Sequence, residues 1–318
     1  VSQSGETVKP QAGAPARPSG GPSAPRAVSS AGSGGFSGMA GRLVPWFFVG
    51  LFLLFVLAFL IAPTAVLVVQ TFIGDNGFTT SYLTGLWDYQ YRIAFENSII
   101  LGIASAFVGV VGGGFLAYST LQPGAPPILR SIVTSFSAVA TNFAGVPLAF
   151  AFISTLGSLG MVTIALKHIG INIYALGFSL YSLTGLTVTF AYFQIPLMLI
   201  IITPAIEGLR SQWREASDGL GATSFQYWRL IGLPILAPSL LGGFLLLFGS
   251  AFSAFATPYA LTDGNIALIT IDISNVLSGN VMSDPQVGAA LSTGMILVMA
   301  VVLIIYTLTA RYAARWRR

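Results

Sequence analysis

From Leu43 to Gly74 the chain carries no charged residue, and five further stretches repeat that absence: about Asn97–Thr120, Ile132–Thr155, Leu183–Ile206, Ile235–Leu261 and Val287–Ala310. A helix crossing the ~30 Å hydrocarbon core of a bilayer needs about 20 mainly apolar residues. Lipid offers the backbone no hydrogen-bond partner, so runs of this length must satisfy their own amides by folding as helices. The first span fits within Trp46–Gln70. The pattern predicts an all-α polytopic membrane protein with six transmembrane helices. Composition agrees, since 54% of the 318 residues are hydrophobic and only 8% charged, against about 25% charged in soluble domains.

Residues 1–41 are dominated by Gly, Ser, Pro and Ala and show no apolar periodicity. Such a segment buries too little apolar surface to offset its ordering entropy, so it is expected to be a disordered tail ahead of a membrane domain over 42–318. It does not read as a secretory signal peptide, because the apolar run that follows is too long and lacks a small-x-small cleavage site. Six crossings place both termini on one side of the membrane. All of the 14 Lys and Arg except Arg92 and Lys167 then fall on that side, while the opposite loops hold Asp75, Asp88, Glu96, Asp263, Asp272 and Asp284. The positive-inside bias makes the basic side cytoplasmic, which predicts a bacterial inner-membrane protein with both termini in the cytoplasm. Anchoring at the membrane surface accounts for the basic C-terminus without nucleic acid.

Several kinds of chemistry are disfavoured. There is no cysteine, and His168 is the single histidine, so neither thiolate nor histidine metal sites are expected. No Asp, Glu, Lys or Arg lies inside the apolar runs, where proton relays and voltage sensors keep theirs. The lysines are Lys9 and Lys167 and neither follows glycine, so the chain has no phosphate-binding loop of the G-x-x-x-x-G-K type. ATP-driven transport would need an ATPase in another subunit, whereas a sodium-coupled carrier could still use backbone carbonyls freed near Pro147 or Pro196.

The polar break over 210–234 holds the most specific motif. Glu215, Ala216, Ser217, Gly221, Ile231, Leu233 and Pro234 stand at the spacing E-A-[A/S]-x3-G-x9-I-x-L-P. Ser211–Leu220 reads as a short helix ended by Gly219 and Gly221. Thr223 and Gln226 have the form of a capping box opening a second helix. Glu215 and Asp218, one turn apart, offer acidic groups to a basic partner, and Ala216 and Ser217 are small enough for close approach. Pro234 and Pro238 suit the start of the next span.

This loop resembles the coupling loop of ABC importer permeases of the type I family. The likeness extends over roughly Leu43–Arg318, through Asn97-Ser98, Gly113–Tyr118, Gly160-Met161-Val162 and Tyr192–Pro196. The general look is of the spermidine/putrescine, iron, thiosulfate and aminoethylphosphonate group. Ser217 replaces the family's second alanine. The third span lacks an earlier proline that the group would carry. The resemblance implies a six-helix permease fold and a separate ABC ATPase, two copies per complex, that binds ATP and Mg while this chain binds no cofactor. It also implies a second permease subunit and an extracytoplasmic solute-binding protein. Solute would pass polar side chains facing the bundle interior, for which Asn142, Tyr192 and Gln194 are candidates, with helix-to-helix packing as the plainer role of all three. The acidic outer loops suit a cationic solute such as a polyamine, although the positive-inside bias alone would produce them. The stripes Gly109-x3-Gly113 and Ser250-x3-Ala254 permit close helix packing, within one subunit or between two. A secondary carrier or channel would explain the spans but not the loop, and a membrane assembly scaffold would explain the stripes but not Gly221.

Overall fold

The structure is a computed structural model that describes residues 37–74, 77–122, 124–278 and 285–315, with side chains from Trp46 to Arg311 within those ranges. The tail expected over 1–41 lies outside them up to residue 36. Contacts divide the chain into two units, Val1–Leu57 and Ala58–Arg318. In the first, the described residues form helix α1, Ser37–Val56. The second contains the packing, the loop and the cavities described below.

Its elements run α2 (Ala62–Gln70), a two-residue hairpin β1–β2 (Ile73–Gly74 and Gly77–Phe78), α3 (Ser81–Gly85), α4 (Tyr89–Thr120), α5 (Pro127–Ala140), α6 (Val146–Leu156) and α7 (Met161–His168). There follow α8 (Leu183–Glu207), α9 (Ser211–Gly219), α10 (Ser224–Tyr227), a π-helical turn at Trp228–Gly232, α11 (Leu233–Phe252), α12 (Ala256–Thr262), α13 (Ile269–Leu277) and α14 (Pro285–Arg315). Among the described residues, 6 helical runs are long and apolar enough to cross a membrane.

Two expected spans are interrupted. The stretch predicted as one helix over Ile132–Thr155 breaks between α5 and α6. Gly145 adopts φ 76° there, a conformation that side chains with a Cβ avoid, and Pro147 supplies no backbone N–H for a helix running through it. The predicted fifth span stops at Phe252 and restarts as α12. The two breaks are tied together: Gly145 N–H donates to Thr257 Oγ1 (3.0 Å), and that hydroxyl donates back to the Gly145 carbonyl (3.3 Å). One threonine hydroxyl thus accepts from the N–H at the break and adds a second donor to a carbonyl that already opens α6 by accepting from Ala149 N–H (3.2 Å). Pro238, expected at the start of the span, lies inside α11, and Pro196 and Pro204 lie inside α8.

Lipid is as apolar as leucine, so close van der Waals contact rather than escape from water holds spans together. The centre of the packing is α4 against α8, with α11 on both. A Cβ on Gly113 would sit 2.5 Å from the Ile195 carbonyl oxygen and 2.6 Å from Met198 Cβ, so backbone meets backbone there. Gly109 faces the side chains of Leu247 and Gln194, where a Cβ would sit 2.7 and 3.0 Å from their nearest carbons. The Gly109-x3-Gly113 stripe therefore packs within this subunit. The Ser250-x3-Ala254 stripe is not one helical face, because α11 ends at Phe252. Buried Ser105 and Thr189 spend their hydroxyls on the carbonyls one turn back, Leu101 (2.6 Å) and Gly185 (3.0 Å), which keeps polar groups satisfied away from water.

Candidate functional site: the loop between α8 and α11

Helix α9 covers the stretch read as a helix from sequence, and its end is built as a Schellman closure. Gly221, at φ 75°, sends its N–H to the Asp218 carbonyl (3.0 Å), while Ala222 N–H reaches the Ser217 carbonyl (3.1 Å). The capping box is present as well: Gln226 N–H donates to Thr223 Oγ1 (3.3 Å), and Thr223 N–H donates to Gln226 Oε1 (2.7 Å). The chain therefore makes a tight corner, with α9 and α10 as its arms.

Arginine 214 braces that corner, and the sequence reading did not single it out. Its Nε donates to Asp218 Oδ2 (3.1 Å), its Nη2 donates to Ser224 Oγ (2.7 Å), and its guanidinium sits 5.0 Å from the Tyr227 ring centroid. A half-exposed ion pair of this kind contributes little alone, and a cation–π contact at the surface adds roughly 0.5–1 kcal/mol. Together they fix one arm against the other. The i,i+4 spacing of Arg214 and Asp218 was a legible sign of the pair. Tyr227 in turn meets Trp228, which stacks edge-on with Tyr118 of α4 at 5.0 Å.

Glu215, Ala216, Asp218 and Gly221 are exposed on this corner, beside Leu220, Phe225 and Leu230, which are 89%, 72% and 70% exposed. Asp218 is held by Arg214 rather than offered freely to a partner. Ser217 corrects the expectation attached to it. It is buried inside its own chain, so its small size serves internal packing rather than approach to a partner. Ile231 is half-buried in the π-helical turn, whereas Leu233 and Pro234 are exposed at the start of α11.

The three candidate pathway residues are not brought together in one environment. Asn142 was expected mid-span; it lies in the break before Gly145, exposed, with Nδ2 donating to the Ala138 carbonyl (2.8 Å). Tyr192 is half-buried and meets the Phe136, Phe143 and Phe152 rings edge-on at 6.5, 6.2 and 5.9 Å. Gln194 is wholly buried between α4, α8 and α11. Its Nε2 donates to the Leu247 carbonyl (3.2 Å) and weakly to Ser105 Oγ (3.4 Å), and its Oε1 has no hydrogen-bond partner among the described residues.

Asp272, read from sequence as an outer-loop residue, is 8% exposed on α13, and its Oδ2 has no partner among the described residues. On α4, which packs against α13, Arg92 and Glu96 pair with each other (3.0 Å). Burial pushes the Asp272 carboxyl up to about 6. Between the ordinary carboxylate value and about 6, the folded chain then holds a proton that the unfolded chain has released. Stability falls as pH rises through that window and is lowest above it. Asp272→Asn is expected to flatten this dependence and raise the melting temperature at pH 8 by a few degrees. Thermal unfolding of the purified protein from pH 4 to 8 checks both.

No family model matches the chain. Over 281 residues it is 26% identical to a sulfate transport system permease protein, CysT, of Salmonella typhimurium, covering 86% of this chain and 96% of the relative. It is 24% identical to the spermidine/putrescine transport system permease protein PotB of Haemophilus influenzae, over 78% and 87% of the two chains. Among solved structures, a bacterial ABC transporter involved in the import of the acidic polysaccharide alginate matches with a TM-score of 0.68. That match has 16% identity and covers 87% of this chain and 98% of the other.

Proposed function

We propose that this chain, an ABC importer permease by its fold and by relatives along most of its length, forms the translocation pathway for a small solute and is driven by a separate ATPase. The single observation that supports coupling best is the corner at 211–227, whose exposed Glu215, Ala216, Leu220 and Phe225 are presented on a backbone locked by Gly221, the capping box and Arg214. The ATPase, in two copies, seats against this corner and holds ATP and Mg. A second permease subunit completes the channel, and an extracytoplasmic binding protein delivers the solute. One solved neighbour is a bacterial alginate ABC transporter in complex with an alginate pentasaccharide-bound periplasmic protein, and the fold match supports the same arrangement. The names of the relatives span sulfate, spermidine/putrescine and ferric transport, and the neutral pathway candidates leave choice of solute to the binding protein. Co-purification of an ATPase with the tagged chain, and ATP-dependent uptake of labelled sulfate, putrescine and ferric iron into proteoliposomes, test this reading. Uptake without ATP, driven by an ion gradient, would instead make the protein a secondary carrier.

Orientation is testable because the chain has no cysteine of its own. Single cysteines at Asp88, Lys167 and Asp263, all exposed, are expected to react with an impermeant thiol reagent from outside, and one at Glu215 only after the membrane is opened. Position 272, although in an outer loop, is too buried to serve. Of the pathway candidates, Asn142 and Tyr192 keep the role. Gln194 acts as glue between three helices. Asn142→Leu is accordingly expected to change solute affinity severalfold at unchanged yield, whereas Gln194→Leu changes thermal stability and leaves the transport constants of the folded fraction alone. Titration of uptake, together with unfolding, separates the two.

A further inference from the structure

Two concavities meet at the contact between Tyr118 and Trp228. One, about 590 Å³, lies beside the α9–α10 corner and has Arg210, Arg214, Gln122 and Ser224 among its lining residues. The other, about 410 Å³, runs along α4, α8 and α11 and is apolar, with Val111, Gly114, Phe115, Leu236 and Leu240 on its walls. Tyr118, Ile206 and Trp228 belong to both. The two adjoin along these three side chains, giving a cleft whose arginines lie beyond the apolar runs and whose other end lies within them.

We propose that this cleft binds a single anionic phospholipid from the leaflet on the coupling-loop side, with its phosphate at Arg210 and Arg214 and an acyl chain in the α4–α8–α11 groove. The assignment of that leaflet to the cytoplasm rests on the orientation given above; the site itself does not.

Charge, position and shape agree on this occupant. Asp218 offsets the charge of Arg214, and Glu207 is engaged by Arg130 of α5, so Arg210 leaves the polar end with a net positive charge. Arg210 is exposed, with its guanidinium 5.8 Å from the Trp213 ring centroid. Arg214 uses Nε and Nη2 within the chain, and a guanidinium has five N–H donors, so donors remain for a phosphate oxygen. Tyr118 and Trp228 form the seam between the two ends. Rings of this type, polar at one edge and apolar elsewhere, settle at headgroup depth. The apolar end lies inside the runs Tyr89–Thr120 and Ser224–Phe252 that cross the bilayer, where acyl chains are the surrounding solvent. Gly114 keeps it open, because a Cβ there would meet nothing within 4 Å. A free phosphate satisfies one end and leaves the other empty, whereas a phospholipid fills both.

The test uses the purified full-length chain in detergent, mixed with phosphatidylglycerol or phosphatidylcholine, with retained lipid read by native mass spectrometry. One phosphatidylglycerol is expected to be retained about tenfold more strongly than phosphatidylcholine, a ratio worth ~1.4 kcal/mol. Arg210→Gln should remove that preference. Gly114→Leu, whose Cβ meets nothing within 4 Å and whose longer side chain occupies the groove, should lower retention of both lipids at unchanged melting temperature. Equal retention of the two lipids, or unchanged retention in both variants, overturns the proposal. So does competition by inorganic phosphate alone combined with indifference to Gly114→Leu, since that marks a free-anion site. Dissociation of a pair of permease chains by Gly114→Leu with lipid retention intact also overturns it and assigns the groove to a second copy. Failure to co-purify an ATPase while phosphatidylglycerol is still retained counts against the importer reading and leaves the lipid site standing.

Discussion

Gly221→Val is expected to reduce ATP-driven uptake to background while the membrane domain still folds. The residue sits at φ 75°, where its N–H closes the end of α9 on the Asp218 carbonyl. An L-residue in the left-handed region costs roughly 1–2 kcal/mol, and a β-branched one is a true outlier there. Valine would relieve the strain by reopening the loop, which tilts α9 and carries Glu215 and Leu220 away from their present positions. A Cβ at Gly221 meets nothing within 4 Å, so no clash elsewhere confuses the result. Gly221→Asn is the matched control, since asparagine visits this conformation readily, and it should keep most of the uptake. Glu215→Lys leaves the backbone untouched and reverses one exposed charge; it should also abolish uptake and weaken ATPase co-purification. Wild-type uptake in both Gly221→Val and Glu215→Lys would remove the corner from the coupling role.

The second large effect is expected in the packing of the spans, from Gly113→Ala set against Gly114→Ala. The two changes add the same methyl group to consecutive positions of α4. At Gly113 the new carbon would lie 2.5 Å from the Ile195 carbonyl oxygen and 3.0 Å from the Leu199 nitrogen; at Gly114 it meets nothing within 4 Å. Backbone cannot swing aside as a side chain does, so α4 and α8 must separate. Overpacking of this kind costs about 1–3 kcal/mol, occasionally more, whereas replacing an open helical glycine by alanine gains up to about 1 kcal/mol. Gly113→Ala should lower the yield of monodisperse protein and its melting temperature, and Gly114→Ala should maintain or raise both. Equal melting temperatures would show that α4 and α8 have room for a methyl group at Gly113.

The first, second, fourth and sixth spans were legible because each is an uninterrupted apolar run, and in lipid such a run has one backbone solution, whereas the third shifts to Val146–His168 and the fifth ends at Phe252. The corner was legible for a different reason. Its glycine, its capping box and its helix boundaries are local devices, each satisfied by residues within five positions, so the motif and the geometry coincide at Ser211–Gly219 and Thr223–Gln226. The brace made by Arg214 was half legible, through its spacing to Asp218; its contacts with Ser224 and Tyr227 depend on how α9 and α10 fold back on one another.

The breaks at 141–145 and 253–255 were not legible as a pair. Gly145 and Pro147 mark the first, but nothing local marks Thr257 as the group that satisfies it 112 positions away. The pathway candidates failed to separate for the same reason. Asn142, Tyr192 and Gln194 are all polar residues near a proline in an apolar run, and sequence gives them equal standing. Whether such a residue is exposed in a gap, ringed by phenylalanines or sealed between three helices depends on which helix lies against it. Sequence by itself determined the number of apolar runs and the chemistry of the loop between α8 and α11, because hydrogen bonding within one helix or one turn decides both. Tertiary structure alone decided the faces: Gly113 turned inward against α8, Ser217 buried in its own chain, Asp272 sealed on α13, and Gly114 left open to the groove. A helical side chain has several neighbours to choose from, and only the packed arrangement selects one.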